Sequence, residues 1–223
     1  MKLSNPQWSN TLQWGPCHPG ELCLEDPDEY RNIVADLTAQ EMGEEGTLVF
    51  SREGEICSLA KDGLLIRDLW TVDVNHKKLL SGVMKRLASI VQDEYYPEAI
   101  DIFRRIGELL EQLSQDSMLP LEWDIPADSQ PIMKAFGLRL ENAEDPFERL
   151  VDYVRLCREY LHIHFVILIG VRDFLSENAW ASLCRDLSAA GVAVLFIEPC
   201  SRTRSVGCSR LIIDRDHCEL RYP

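Results

Sequence analysis

The sequence predicts an α/β fold with a parallel sheet, made from both chain ends and interrupted by a helical excursion over about residues 67–145. Two observations point to the sheet. HFVILIG and VAVLFIE are near-continuous apolar runs of strand length, the mark of strands covered on both faces. Helical patterns precede and separate them, which is the grammar of parallel strands joined by crossovers. A third observation points to the excursion: in the middle of the chain the apolar residues take up a helical period and keep it through two long segments. The expected domains are therefore 1–66 with 146–223, and 67–145.

Taken in order, the short strand ELCLE feeds the helix DPDEYRNIVADL. Asp26 stands at its cap, Pro27 at its first position, and Glu29 completes a capping-box-like pair. TLVFS at Thr47–Ser51 and GLLIRDL at Gly63–Leu69 read as further strands. NHKKLLSGVMKRLASIVQ then aligns Leu80, Val83, Met84, Leu87, Ile90 and Val91 on one stripe, with Lys77, Lys78, Lys85 and Arg86 mostly off it. A second amphipathic helix begins near Pro97 and carries Phe103, Ile106, Leu110 and Leu113, so the two are expected to bury their stripes as an antiparallel pair.

LEWDIPADSQ follows as an irregular acidic loop, and SQPIMKAFG as a short helix stopped by Gly137. DPFERLVDYVRLCREYL repeats the Asp-Pro-x-Glu opening at Asp145. After the two buried strands and the helix SENAWASLCRDLSAAG between them, SRLIIDRDHCELRY alternates about Asp214 to His217 as a terminal hairpin. There are no internal repeats and no low-complexity segment.

The 223 residues suffice for a sizeable core, and a formal charge of −14 opposes indiscriminate adhesion to nucleic acid while leaving room for a local basic surface. The acidic surplus lies in the first two thirds: residues 1–66 hold 4 basic and 12 acidic residues, 67–145 hold 9 and 15, and 146–223 hold 10 and 10. Eight cysteines stand singly, mostly in apolar runs, as free thiols; only Cys17 with His18 and His217 with Cys218 offer a zinc site anything. MKLSNPQWSN lacks an apolar stretch and no apolar run reaches the ~18 residues of a membrane span. The expectation is a cytoplasmic protein with no membrane contact.

The strand–helix grammar invites a nucleotide-binding reading, but no G-x-x-x-x-G-K-[ST] occurs. CLEDPDEY instead sets Glu25, Asp26, Asp28 and Glu29 at the helix N-terminus where a phosphate would sit. Glu198, ending VAVLFIE, stands where phosphate-loop ATPases offer a carboxylate to magnesium, or simply closes a buried strand. No G-x-S-x-G elbow is present, and the five histidines stand in no catalytic relation to a serine or cysteine; His162 and His164 alternate as a strand-entry pair. No catalytic constellation is recognised, so the chain is expected not to be an enzyme.

The acidic loop remains. Glu122, Asp124 and Asp128 repel one another unless protonated or bridged, and calcium wants about six to eight oxygens, backbone carbonyls included. A solvated surface loop is the other reading.

Several strings in order resemble the Csn-two family of type II-A CRISPR systems: IRDLWTVDVN, with its D-x-N before the first long helix; LEWD; KAFGLRLE; VLFIEP; and LIIDRD. They run from about Thr47 to Asp216, and the first 45 residues match mainly in layout. The resemblance implies a degenerate phosphate-loop-ATPase-like head with a parallel sheet, plus an inserted α-helical leg. It implies a homotetrameric ring that holds double-stranded DNA ends in its central hole and works with other CRISPR adaptation proteins in spacer acquisition, without ATPase activity. It also implies Ca2+ bound through leg carboxylates, which carries over to Glu122 and Asp124 in LEWD, with Asp128 beside them.

An acidic chain can grip a polyanion if a few cations converge on the lumen. The candidates are Lys77, Lys78, Lys85 and Arg86 on the first long helix, Lys61 and Lys134 beside it, and Arg202 and Arg204 in PCSRTRSVG. With six lysines the chain departs from the lysine-lined character expected of the family. Rival readings are a diverged metal-dependent nucleotide hydrolase using Glu198, a metal nuclease using the acidic loop, and an acidic scaffold for basic partners.

Overall fold

The computed structural model describes residues 1–126, 128–202 and 207–222. The chain forms two compact units, residues 1–74 with 142–223 and residues 75–141. The elements run β1 (Lys2–Ser4), β2 (Leu12–Gln13), β3 (Gly20–Leu24), α1 (Pro27–Glu41), β4 (Val49–Arg52), β5 (Glu55–Cys57), α2 (Leu59–Asp62) and β6 (Gly63–Ile66). After a short turn of helix at Leu69–Thr71 come α3 (Lys77–Glu94), α4 (Tyr96–Ser117), α5 (Gln130–Ala135) and α6 (Pro146–Leu161). The chain closes with β7 (Phe165–Ile169), a turn at Val171–Phe174, α7 (Glu177–Ala189), β8 (Ala193–Glu198), β9 (Ser209–Ile213) and β10 (Glu219–Tyr222).

In the first unit the main sheet has the order β10-β9-β3-β8-β7-β6, parallel except for β10, which is hairpinned antiparallel to β9. The apolar runs follow from burial on both faces. Leu195, Ile197 and Ile167 point to one layer with Leu22 and Leu24 of β3 and Ile33 and Leu37 of α1. Val194, Phe196, Val166 and Leu168 point to the other, under Leu150 and Val154 of α6 and Trp180, Leu183 and Leu187 of α7. Cutting the fully buried Phe196 to alanine removes about 3–5 kcal/mol of such packing. At the start of β6 a side chain has no room: a Cβ on Gly63 would stand 2.6 Å from the Phe165 ring of the neighbouring strand.

A second, antiparallel sheet in the order β2-β1-β4-β5 caps the first layer with Leu3, Leu12, Trp14 and Phe50. Phe50 stacks on Phe165 with ring centroids 5.1 Å apart. Only β4 of this sheet is predicted from the sequence, since strands of two or three residues leave no periodicity to read.

Leu69 and Val72, within the segment the sequence assigns to the excursion, pack in the second layer of the first unit. The D-x-N string acts at this point. Asn142 accepts from the Val74 backbone at 3.2 Å and donates to the Asp73 carboxylate at 3.0 Å. In the second unit Asn75 exchanges hydrogen bonds with the Leu140 backbone, donating at 2.9 Å and accepting at 2.8 Å. The entry and exit of the excursion are thus laced together by amide side chains, which removes much of the freedom of a long insertion.

Within that second unit α3 buries Leu79, Val83, Met84 and Ala88. No residue of α4 is fully buried. Phe103 and Leu110 are half-covered, but Ile106 and Leu113, expected in the same buried stripe, are 43% and 48% exposed. The physical reason is that α4 carries two apolar rows. Ile106 and Leu113 belong with Ile102 and Leu109 on a row one position round from Phe103 and Leu110, and all four are exposed among the described residues.

Candidate functional site

In an open parallel sheet the ligand crevice lies beyond the carboxyl ends of the strands, where the strand order reverses. Here that point falls between β3 and β8. At the end of β3 the Asp26 carboxylate accepts from the backbone N–H groups of Asp28 and Glu29, both at 2.8 Å. These donors are the ones a bound phosphate would need, and the Glu29 N–H bond is the chief cause holding Asp26 below the usual carboxylate range. The structure therefore fills the anion position with the chain's own carboxylate, as the four-acid turn predicts.

At the end of β8, Glu198 is 1% exposed and accepts from the Arg172 backbone N–H at 3.1 Å. Burial pushes its carboxyl up to about 7, opposed by that hydrogen bond and reinforced by the Asp173 and Glu21 charges. The Arg172 side chain turns away, holding both oxygens of Glu177 at 2.8 Å and lying 4.1 Å over the Trp180 ring. Arg202 pairs with Asp173, and its backbone carbonyl accepts from Arg210, whose guanidinium is paired at 2.7 Å with the buried Glu21. The Arg202 charge is thereby balanced locally, so this candidate offers a phosphate less than its sequence suggests. Arg204 lies outside the described residues.

The other basic candidates differ. Lys77, Lys78, Lys85 and Arg86 on α3, Lys61 on α2 and Lys134 on α5 are all exposed. None of them is in an ion pair among the described residues, whereas Arg104 and Arg105 on α4 are engaged by Asp101. Lys78 and Lys85 stand two turns apart on one face of α3, with Lys77 and Arg86 flanking them, opposite the buried Leu79, Val83, Met84 and Ala88. The structure groups these four and leaves Lys61 and Lys134 as single charges on short helices.

The acidic loop is irregular over residues 118–126 and 128–129. Glu122 and Asp124 are exposed, and the Asp128 carboxylate is turned to Gln130, accepting from its backbone N at 2.8 Å and its Nε2 at 3.1 Å. Hard carboxylate oxygens on open backbone have the right chemistry for calcium. The geometry does not fit a preassembled cage, because among the described residues no three His, Cys, Asp or Glu side chains are gathered to hold a metal ion. The same holds for zinc at Cys17–His18 and His217–Cys218; His217 instead sits 3.2 Å from Glu29.

Two features escaped the sequence reading. The outer row of α4 was submerged in a single stripe, though a helix with apolar residues on two adjacent rows signals more than one neighbour. The lacing by Asp73, Asn75 and Asn142 joins positions more than sixty apart and leaves no local trace.

No helix among the described residues is long and apolar enough to cross a membrane. No curated protein matches the chain. The model of one family, described as CRISPR-associated protein (Cas_Csn2), matches residues 40–217. That match covers most of the chain, from the end of α1 into the terminal hairpin, and takes in every string that carried the resemblance, so the chain belongs to the CRISPR-associated Csn2 family.

Proposed function

We propose that the protein is a non-catalytic, calcium-dependent holder of double-stranded DNA ends, acting as a homotetrameric ring in CRISPR spacer acquisition beside other adaptation proteins. The observation that carries the DNA contact is the row of unneutralised cations on α3, in a chain where arginines are widely consumed by internal ion pairs. Such a row suits backbone phosphates, and binding through it is independent of sequence. Family membership supports the CRISPR role.

Self-association is supported by α4. Ile102, Ile106, Leu109 and Leu113 leave an apolar strip open along a 22-residue helix, and the loop beyond adds exposed Leu119, Leu121 and Ile125. A contiguous apolar surface of this kind is a liability unless another chain covers it. A calcium ion drawn to Glu122 and Asp124 would quench charge beside that strip.

The main sheet, with its crevice closed by Asp26, is consistent with a head derived from a phosphate-loop ATPase that has lost its phosphate site. A hydrolase working through Glu198 is the competing reading, favoured by that raised carboxyl and opposed by the Asp26 carboxylate that already occupies the Asp28 and Glu29 N–H donors.

The test is a gel shift of linear against closed circular duplex, in calcium and in chelator, with molar mass measured by light scattering under both conditions. Linear DNA alone is expected to bind, in calcium, to a species of four protomers. Equal binding of circular DNA refutes end-threading, and phosphate release from ATP in magnesium refutes the non-catalytic reading.

A further inference from the structure

The outer surface of α6 and α7 carries an open groove of about 690 Å³. The first two turns of α6 and the stretch of α7 from Ala179 to Asp186 line it, with Phe147 and Val151 from α6 and Leu183 from α7 as its apolar floor and Phe174 and Leu175 beside them. Its rim is acidic on both sides, with the cap Asp145, Glu148 and Asp152 from α6 and Asp186 from α7, and no basic side chain among the described residues lines it. Asp145 is committed to capping α6 and Asp152 is paired with Arg155, which leaves Glu148 and Asp186, the latter accepting only from the Ser182 hydroxyl, without an ion pair among the described residues. Beside the groove Phe174 and Trp70, each 58% exposed, meet edge to face at 6.1 Å. Two large aromatics held open to solvent at the mouth of an apolar groove are the composition of a binding anchor.

We propose that this groove docks a basic amphipathic α-helix of a partner protein. The shape argues for a helix: the walls are built from i, i+3, i+4 and i+7 positions of two parallel helices, so the slot is about two turns long and takes an apolar face read at the same spacing. The charge argues for a basic one, since lysines or arginines flanking that face reach Glu148 and Asp186, and the same acids repel nucleic acid and acidic segments. The site goes beyond DNA holding and shares no residue with the α3 cations.

The experiment uses the full chain and a labelled 18-residue leucine–lysine helix as probe, with a leucine–glutamate helix of identical pattern as its counterpart. Fluorescence anisotropy is read in salt of physiological strength for the parent, Phe174→Ser, the pair Glu148→Gln/Asp186→Asn, and a control pair Glu44→Gln/Glu45→Gln placed in the exposed loop after α1. All five positions are exposed, so the fold tolerates each change. Phe174→Ser and the groove pair are each expected to weaken the basic helix by about fivefold or more. The control pair is expected to leave binding unchanged, and the acidic helix to show none. Equal weakening by the control pair would mean diffuse charge attraction and overturn the proposal, as would full binding by Phe174→Ser. A fall in the protein's own molar mass on Phe174→Ser would assign the groove to a second copy of this chain and overturn it equally.

Discussion

Glu198 accepts one backbone hydrogen bond in a site from which water is excluded, with two other carboxylates near it. Its folded value of about 7 lies above the ordinary 4.5, so the folded chain binds this proton more tightly than the unfolded chain. Stability therefore falls as pH rises from about 4.5 through about 7, and above that the cost of a buried charge is fully present. Glu198→Gln keeps the acceptor for the Arg172 N–H and removes the charge. Urea unfolding is expected to show this variant more stable than the parent by about 1–3 kcal/mol at pH 8, with the difference gone at pH 4. A variant less stable than the parent at pH 8 would mean that an unrecognised cation holds Glu198 ionised. Residues whose role depends on near neighbours in the chain were legible: Asp26 and Asp145, each followed by Pro-x-Glu, both cap their helices through two backbone N–H groups. Arg202 was not, because the Asp173 that neutralises it stands 29 residues away and meets it only once β8 has passed between α7 and the loop.

At the level of elements, the strands and helices of the main sheet could be read because long periodic or long apolar segments carry their own burial pattern. The small sheet could not, since β1 and β5 owe their conformation to pairing on either side of β4, and β2 to pairing with β1, above the core beneath them. The excursion was legible as helical, yet its bounds moved inward to residues 75–141, because Leu69 and Val72 find apolar neighbours in the first unit that no local pattern announces. Helix α4 holds the sharpest consequence. A buried row tolerates no charge, whereas an exposed row tolerates it in the protomer and fails only in an assembly. Ile106→Glu with Leu109→Glu is expected to leave the unfolding midpoint within a few degrees of the parent and to reduce the molar mass in calcium from that of the proposed tetramer to that of a monomer. Retention of the tetramer would exclude this row from the subunit interface, and collapse of the midpoint would show that the row is already covered within one chain.

For the molecule as a whole, the formal charge of −14 is a poor guide to its field, because Arg67, Arg104, Arg172, Arg202 and Arg210 all spend their charge on internal carboxylates. Among the described residues, the exposed cations outside any ion pair gather on α3 as Lys77, Lys78, Lys85 and Arg86, while others such as Arg139, Arg185, Arg215 and Arg221 stand apart in the sequence. Each phosphate contact releases condensed counterions and adds about 0.9 to the slope of log affinity against log salt. Lys78→Gln with Lys85→Gln is therefore expected to flatten that slope by about 2 for every protomer touching the duplex, with weakening at low salt that fades as salt rises. Arg104→Gln is the matched control, since its guanidinium is already held by Asp101 and Glu108 and its loss should leave the slope unchanged. The measurement is anisotropy of a labelled linear duplex in calcium, titrated from about 50 to 200 mM salt. Equal flattening by both variants would mean that DNA senses only the summed charge, and the α3 face would then have no claim to be the phosphate-binding surface.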